Sequence, residues 1–340
     1  ELYQDAGTGK EQDLRMDLGM GKSEVDWQVR RRMSFGHALN EYEGFCEALM
    51  RTHIPFDIIG DTHLTSGGLS KYDVIVLPNA ACLSDAQIEA LKVFVRDGGG
   101  IVGTFETSLY DERGKPREEF GLGELFKVGF PEIILGPSGF DFMVVEAQHP
   151  VTKGFDVGQH LARPISVLGV SPREDVTVLI RALEPLRHPI SALKLETSYP
   201  ALIVAEYGKG RVVYVPGLIG GIYLTHKMTA HQNLMENAVR WILGDRSLVE
   251  VEAPETVEVE IRTQRNPDRT LLHLVNLTGE MRRPMERVIP IHDIKIRLRL
   301  ALPSKAFSLI TKRIIDFKQS GAWVEFVVPR LDLYDVIVVE

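Results

Sequence analysis

Cysteine is almost absent: Cys46 and Cys82 are the only two among 340 residues, and neither sits in a C-x-x-C pair. That is poor material for a disulfide framework or a thiolate zinc site, and it points to a reducing, cytoplasmic setting. No apolar run approaches the roughly 18 residues that cross a bilayer, and no basic-then-apolar leader is seen, so no membrane role is expected. A concentrated basic face is also missing. The net charge is -8, and the basic residues are scattered apart from short runs such as Arg30-Arg31-Arg32 and Arg282-Arg283, which argues against nucleic acid as a partner. Aromatic residues make up only 8%, with three tryptophans, so stacking platforms for sugars are scarce. The chain opens on Glu1 rather than Met, which reads as truncation or processing.

What remains is ordinary globular composition, and 340 residues suit two cores better than one. Residues 1–33 are polar and without sustained periodicity, and read as a linker or the remnant of a preceding domain. From residue 37 the pattern alternates helix and strand. An amphipathic helix runs through ALNEYEGFCEALMRTHI, followed by a short strand FDIIG and a buried-type strand YDVIVLP at 72–78. Ser84 and Gln87 then cap a helix DAQIEALKVFVRD, which ends at Gly98-Gly99-Gly100 and leads into the strand IVGTF at 101–105. Short connections between helices and strands imply right-handed crossovers and a parallel sheet. Residues 106–170 are rich in Gly and Pro and read as an elaborated rim, with short strands such as FMVVEA. ALIVAEYGKGRVVYVPG is a hairpin signal, and a helix through HQNLMENAVRWILGD closes the domain near Gly244-Asp245. Beyond it, VEVEI, TLLHLVNLT, IKIRLRL, WVEFVVP and YDVIVVE alternate at period two, as in an antiparallel sandwich. The expected domains are 34–246 and 247–340.

Taken together, LPNAACLSDAQIEALKVFVRDGGGIVGTFETSLYDERG, HPVTKGF, GKGRVVYVPG and NAVRWILGD resemble the β-galactosidase trimerisation domain of glycoside hydrolase family 42 and of related glycosyl-hydrolase-like proteins. LLHLVNLTG and the terminal LDLYDVIVVE resemble the β-sandwich that follows it, so the likeness covers roughly 37–340. The resemblance implies a flavodoxin-like, class I glutamine-amidotransferase-like fold without amidotransferase activity. It also implies self-association as a homotrimer and a preceding (β/α)8 barrel carrying the catalytic carboxylates, which is absent from this sequence. In that family an apolar strand precedes the first helix, where this chain reads VRRRMSFG.

Amidotransferases place a cysteine on the sharp turn after a central strand. The matching place reads Phe105-Glu106-Thr107, and a glutamate cannot form the required thioester. Cys82, one loop away, reads as packing. Ligands of parallel sheets sit beyond the carboxyl ends of the strands, so the loop ETSLYDERG is the candidate contact surface for substrate or for the barrel. Its residues are Glu106, Thr107, Ser108, Tyr110, Asp111 and Arg113, beside Glu112. As adjacent carboxylates in a polar loop, its acids read as solvated or salt-bridged rather than as a catalytic pair.

His149, His226 and His231 lack the spacing and carboxylate companions of a metal site and read as helix-start or surface residues, so neither a metal nor any other cofactor is expected. Gly98 to Gly103 fits G-x-G-x-x-G literally but follows a helix and enters a strand, the reverse of the dinucleotide arrangement. Gly9-Lys10 lacks the rest of a phosphate loop. The sequon at Asn276 falls in a predicted strand and reads as chance, and Trp241 and Trp323 read as core. The leading functional expectation is a non-catalytic accessory and oligomerisation region of a β-galactosidase-like parent in carbohydrate metabolism, with a glycoside as the ligand class. A stand-alone carbohydrate- or small-molecule-binding module and a hydrolase or amidase in its own right are the alternatives.

Overall fold

The computed structural model describes residues 39–136, 141–173, 175–184, 197–280, 286–301 and 303–340. The segments read from sequence as a linker at 1–33 and as a replaced first strand at VRRRMSFG lie outside the described residues. By internal contacts the chain divides into two units. One contains the described residues up to Phe45 together with Ile59–Leu243; the other contains Cys46–Ile58 together with Gly244–Glu340.

The first unit is α/β. A helix at 39–51 (α1), whose residues from Cys46 onward count with the second unit, leads to the short α2 (Ser66–Leu69), the strand β1 (Val74–Leu77), α3 (Asp85–Arg96) and β2 (Gly100–Thr104). The cap on α3 follows the sequence signature: Ser84 Oγ accepts from the Gln87 amide at 3.3 Å, and Gln87 Oε1 accepts from the Ser84 amide at 2.8 Å. Gly98, at φ +120°, supplies the backbone shape that ends the helix. After α4 (Gly123–Phe126) come β3 (Ile133–Leu135), β4 (Phe142–Val145), β5 (His160–Ala162), β6 (Val167–Gly169), β7 (Thr177–Leu183), β8 (Thr197–Tyr207) and β9 (Gly210–Val215), then α5 (Ile219–His226) and α6 (Thr229–Leu243).

The main sheet runs β1-β2-β9-β8-β7-β4-β5. Its parallel part is β1, β2 and β9, and the remaining neighbours pair antiparallel. The stretch read as rim therefore contributes β4 and β5 to the sheet itself, with β3 and β6 as a separate pair. The β8–β9 hairpin turns at Gly208 (φ +60°), as the Gly-Lys-Gly signal predicts. FDIIG forms no strand: Phe56 is exposed and Ile58 is 68% exposed. An apolar run without a neighbouring strand leaves its backbone groups unpaired, so periodicity alone did not suffice there. The core packs Leu91 and Val95 of α3 and Ile101 of β2 with Phe126, Leu168 and Tyr214. Phe126 and Tyr214 stack with ring centroids 4.3 Å apart.

The second unit is an antiparallel sandwich formed by β10 (Val249–Glu252), β11 (Val257–Gln264), β12 (Arg269–Asn276), β13 (Ile291–Arg299), β14 (Ala306–Ser308), β15 (Phe317–Ser320), β16 (Trp323–Leu331) and β17 (Tyr334–Val339). Two four-stranded sheets, β10-β13-β16-β15 and β11-β12-β17-β14, face a shared core that includes Leu272, Leu274, Ile296, Leu298, Val324 and Ile337. Cys46–Ile58 joins this unit through polar contacts, with His53 Nε2 3.3 Å from the Pro254 carbonyl and Arg51 Nη1 3.5 Å from Glu255. Trp323 is not core. It is half-buried opposite Arg299, and the guanidinium groups of Arg297 and Arg299 each lie 4.8 Å from its ring. Trp241 is likewise half-buried, between His149 and Arg211. In each case an arginine lies over the part of the indole left open. No helix among the described residues is long and apolar enough to cross a membrane.

Candidate functional site

The carboxyl ends of β1, β2 and β9 meet the start of α5 and the first turns of α1. Thr104 closes β2, and Phe105 then takes φ +44°, a left-handed backbone that a bulky residue adopts only at a cost. The turn is held on several sides. The Tyr214 hydroxyl donates to the Phe105 carbonyl at 2.6 Å, and Thr107 Oγ1 donates to the Thr104 carbonyl at 2.6 Å. Asn79, itself at φ +48°, donates its amide to Thr104 Oγ1 at 2.9 Å and accepts the Glu106 amide on Oδ1 at 3.1 Å. The turn holds two left-handed residues, Phe105 directly after the strand and Ser108 at φ +69°.

The loop expected as one contact surface divides in two. Glu106, Thr107, Ser108 and Tyr110 are buried, whereas Asp111 is half-buried and Glu112 and Arg113 are exposed. Tyr110 donates to Glu106 Oε1 at 3.4 Å, and Ser108 Oγ accepts the Leu122 amide at 2.9 Å. Burial, and after it the charge of Glu106, pushes the Tyr214 phenol well above its ordinary range. At the tip, the Lys115 amide bonded to Asp111 holds that carboxyl below its usual range. A polar loop of adjacent acids is expected to be solvated or salt-bridged; hydrogen bonds to the Leu77 carbonyl of β1 and from the Tyr214 hydroxyl of β9 instead draw its first half inside.

Sequence reasoning missed Glu41. Its carboxyl is wholly buried, and Oε2 accepts the Gly221 amide at 2.8 Å in the first turn of α5. Burial pushes this carboxyl up to about 7, against the opposing pull of the Gly221, Gly220 and Ile219 amides and the Thr104 hydroxyl. The two helices come close enough for this because both are glycine where they touch. A Cβ on Gly44 would stand 2.0 Å from the Gly220 carbonyl oxygen, and one on Gly220 would stand 2.4 Å from the Glu41 carbonyl oxygen. A signal was available: Glu41 lies three, four, seven and eight residues before Gly44, Phe45, Ala48 and Leu49, all buried, so it falls on the apolar face.

The histidines are scattered. His149 Nδ1 accepts the Val151 amide at 3.2 Å as the cap of a short turn. His226 ends α5. His231 lies in the first turn of α6, the helix-start alternative, but is buried there, and its Nε2 lies 2.9 Å from the Ala162 carbonyl. Burial lowers the pKa of both His149 and His231. Among the described residues no three His, Cys, Asp or Glu side chains are grouped to hold a metal ion. Cys82 is exposed and pairs backbone with Tyr110, away from the elbow position itself. The arrangement thus offers a buried carboxyl titrating near neutrality and a set of fixed donors, while the turn's two hydroxyls, on Thr107 and Ser108, are engaged by the Thr104 carbonyl and the Leu122 amide.

The sequence pattern of the ThuA family, described as trehalose utilisation, matches residues 29–242. The chain belongs to the ThuA family. The ThuA region with its sandwich is similar in fold to much larger enzymes. The chain aligns over 88% of its length with 45% of the α-L-fucosidase isoenzyme 2 of Paenibacillus thiaminolyticus, at 19% identity and a TM-score of 0.70. It aligns over 89% of its length with 38% of the β-galactosidase of Bacillus circulans sp. alkalophilus, at 17% identity and a TM-score of 0.61. Gan42B, a GH42 β-galactosidase of G. stearothermophilus, matches over 88% of the chain and 35% of its own, at 19% identity and a TM-score of 0.56. At these identities the likeness is one of fold, and this ThuA chain spans less than half the length of each of the three.

Proposed function

We propose that this chain is the non-catalytic accessory and self-associating part of a glycoside-hydrolase-like protein of carbohydrate metabolism, in which residues 34–246 mediate assembly as a homotrimer and residues 247–340 form a separate sandwich domain. The observation that carries the reading is the turn after β2. It places a left-handed residue directly after the strand, as a nucleophile-bearing elbow does, yet that residue is Phe105, whose side chain has no reactive atom, and the hydroxyl of Ser108, the turn's other left-handed residue, accepts the Leu122 amide. The family's link to trehalose utilisation and the fold likeness to parts of glycosidases support a carbohydrate setting. In this reading a (β/α)8 barrel supplies the catalytic carboxylates, and the tip of the loop, with Glu112 and Arg113 exposed, reaches toward it. Light scattering over a concentration series, with aryl-glycoside hydrolysis assayed on the same sample, tests the proposal. A trimer without turnover is expected; a monomer that hydrolyses the glycoside would overturn it.

A further inference from the structure

We propose that Glu41 and Asn79 form a binding site for one hydroxyl group of a small neutral sugar, reached over Gly221 at the start of α5. The sugar class rests on the carbohydrate reading above; the hydroxyl rests on the site alone. Two buried side chains here each leave one polar atom without a hydrogen-bond partner, Oε1 of Glu41 and Nδ2 of Asn79. Their other polar atoms are engaged, Oε2 by the Gly221 amide and Oδ1 by the Glu106 amide. Both residues also converge on Thr104, whose hydroxyl takes the Asn79 amide at 2.9 Å and interacts with the Glu41 carboxyl. A buried polar atom left unpaired costs roughly 1–3 kcal/mol, so folds retain few without a reason.

The two orphans are complementary in kind. The amide nitrogen can only donate, and the carboxyl oxygen, once ionised above about pH 7, can only accept. A hydroxyl group does both at once. An anion is disfavoured because the carboxyl already occupies the amides at the helix start, and an apolar group would leave both atoms unpaired. Gly221 is half-buried, and a Cβ there would meet nothing closer than Glu41 Oε2 at 3.7 Å. An alanine would therefore fit, yet the position is glycine, and its added methyl would stand against the Glu41 carboxyl.

Calorimetric titration of the intact chain with D-glucose, D-galactose, L-fucose and trehalose tests the site, alongside the solution mass of the same samples. Saturable binding of at least one is expected. Glu41→Gln turns the unpaired acceptor into a donor, and Asn79→Asp turns the unpaired donor into an acceptor while tolerating the left-handed backbone. Each single variant should weaken binding about tenfold or more, and the double variant, which restores an opposed pair, should recover most of it. Gly221→Ala should block binding while leaving the melting temperature unchanged. Failure of the wild type to bind any of the four sugars would mean that water alone occupies the site and would overturn the proposal, as would single variants that bind like the wild type. A trimer that binds no sugar overturns the site and leaves the accessory reading standing; a sugar-binding monomer does the reverse.

Discussion

The two units treat the same residue types in opposite ways. In the sandwich, Asn276 is fully buried at the end of β12 and every polar atom is used. Its Nδ2 donates to the carbonyls of Asp332 at 2.7 Å and Ile289 at 2.8 Å, and its Oδ1 accepts the Thr278 amide at 2.9 Å. Asp335, also buried, accepts from the Ser308 hydroxyl at 2.6 Å and from the Val336 amide at 2.7 Å. In the α/β unit, Asn79 and Glu41 are just as buried and each keeps an atom unpaired. Satisfied polar groups fix a fold, whereas unsatisfied ones among otherwise tight packing mark a place shaped for something else. The contrast also disposes of the sequon at Asn276, whose amide is inside the protein and engaged.

The comparison can be broken at its strongest point first. Asn276→Ala strands two carbonyls and an amide in the sandwich core, so roughly 3–5 kcal/mol of stability should disappear, as read by urea unfolding; a loss below about 1 kcal/mol would show that water replaces the side chain freely. The next effect is a pH dependence in the other unit. Glu41 has its ordinary value near 4.5 when unfolded and about 7 when folded, so the fold favours its neutral form. Stability should therefore be highest below pH 4.5, fall as the pH rises from 4.5 to 7, and be flat beyond, by about 3 kcal/mol from this group. Glu41→Gln should remove that slope, and a wild-type urea midpoint that rises over the same interval after the other carboxylates are accounted for would contradict the assignment. The smallest effect belongs to the surface of the sandwich: Trp323→Ala should cost about 1 kcal/mol, since of the two arginines over its ring Arg297 remains paired with Glu250 and Glu325 and Arg299 remains bonded to the Ser247 carbonyl.

Much of the architecture was legible because its signals are local. The Ser84–Gln87 cap, the Gly208 turn and the period-two strands of the sandwich depend on neighbours in sequence. The candidate site was legible only in outline. Strand-end logic led to Glu106 and Tyr110, but nothing local says that Asn79 and Tyr214 pull the loop inward, because those partners lie 27 and 109 residues away. Glu41 was hidden for a related reason: its burial depends on Gly44 meeting Gly220, a contact between helices at opposite ends of the unit's sequence.

The half-buried placement of the indoles has a spectroscopic consequence. Trp241 belongs to the α/β unit and Trp323 to the sandwich, each beside cationic or imidazole neighbours that quench fluorescence until the local packing opens. With the other two tryptophans replaced by phenylalanine, either residue becomes an optical probe of its own unit. The order in which the halves of the molecule melt can then be followed without attaching a dye.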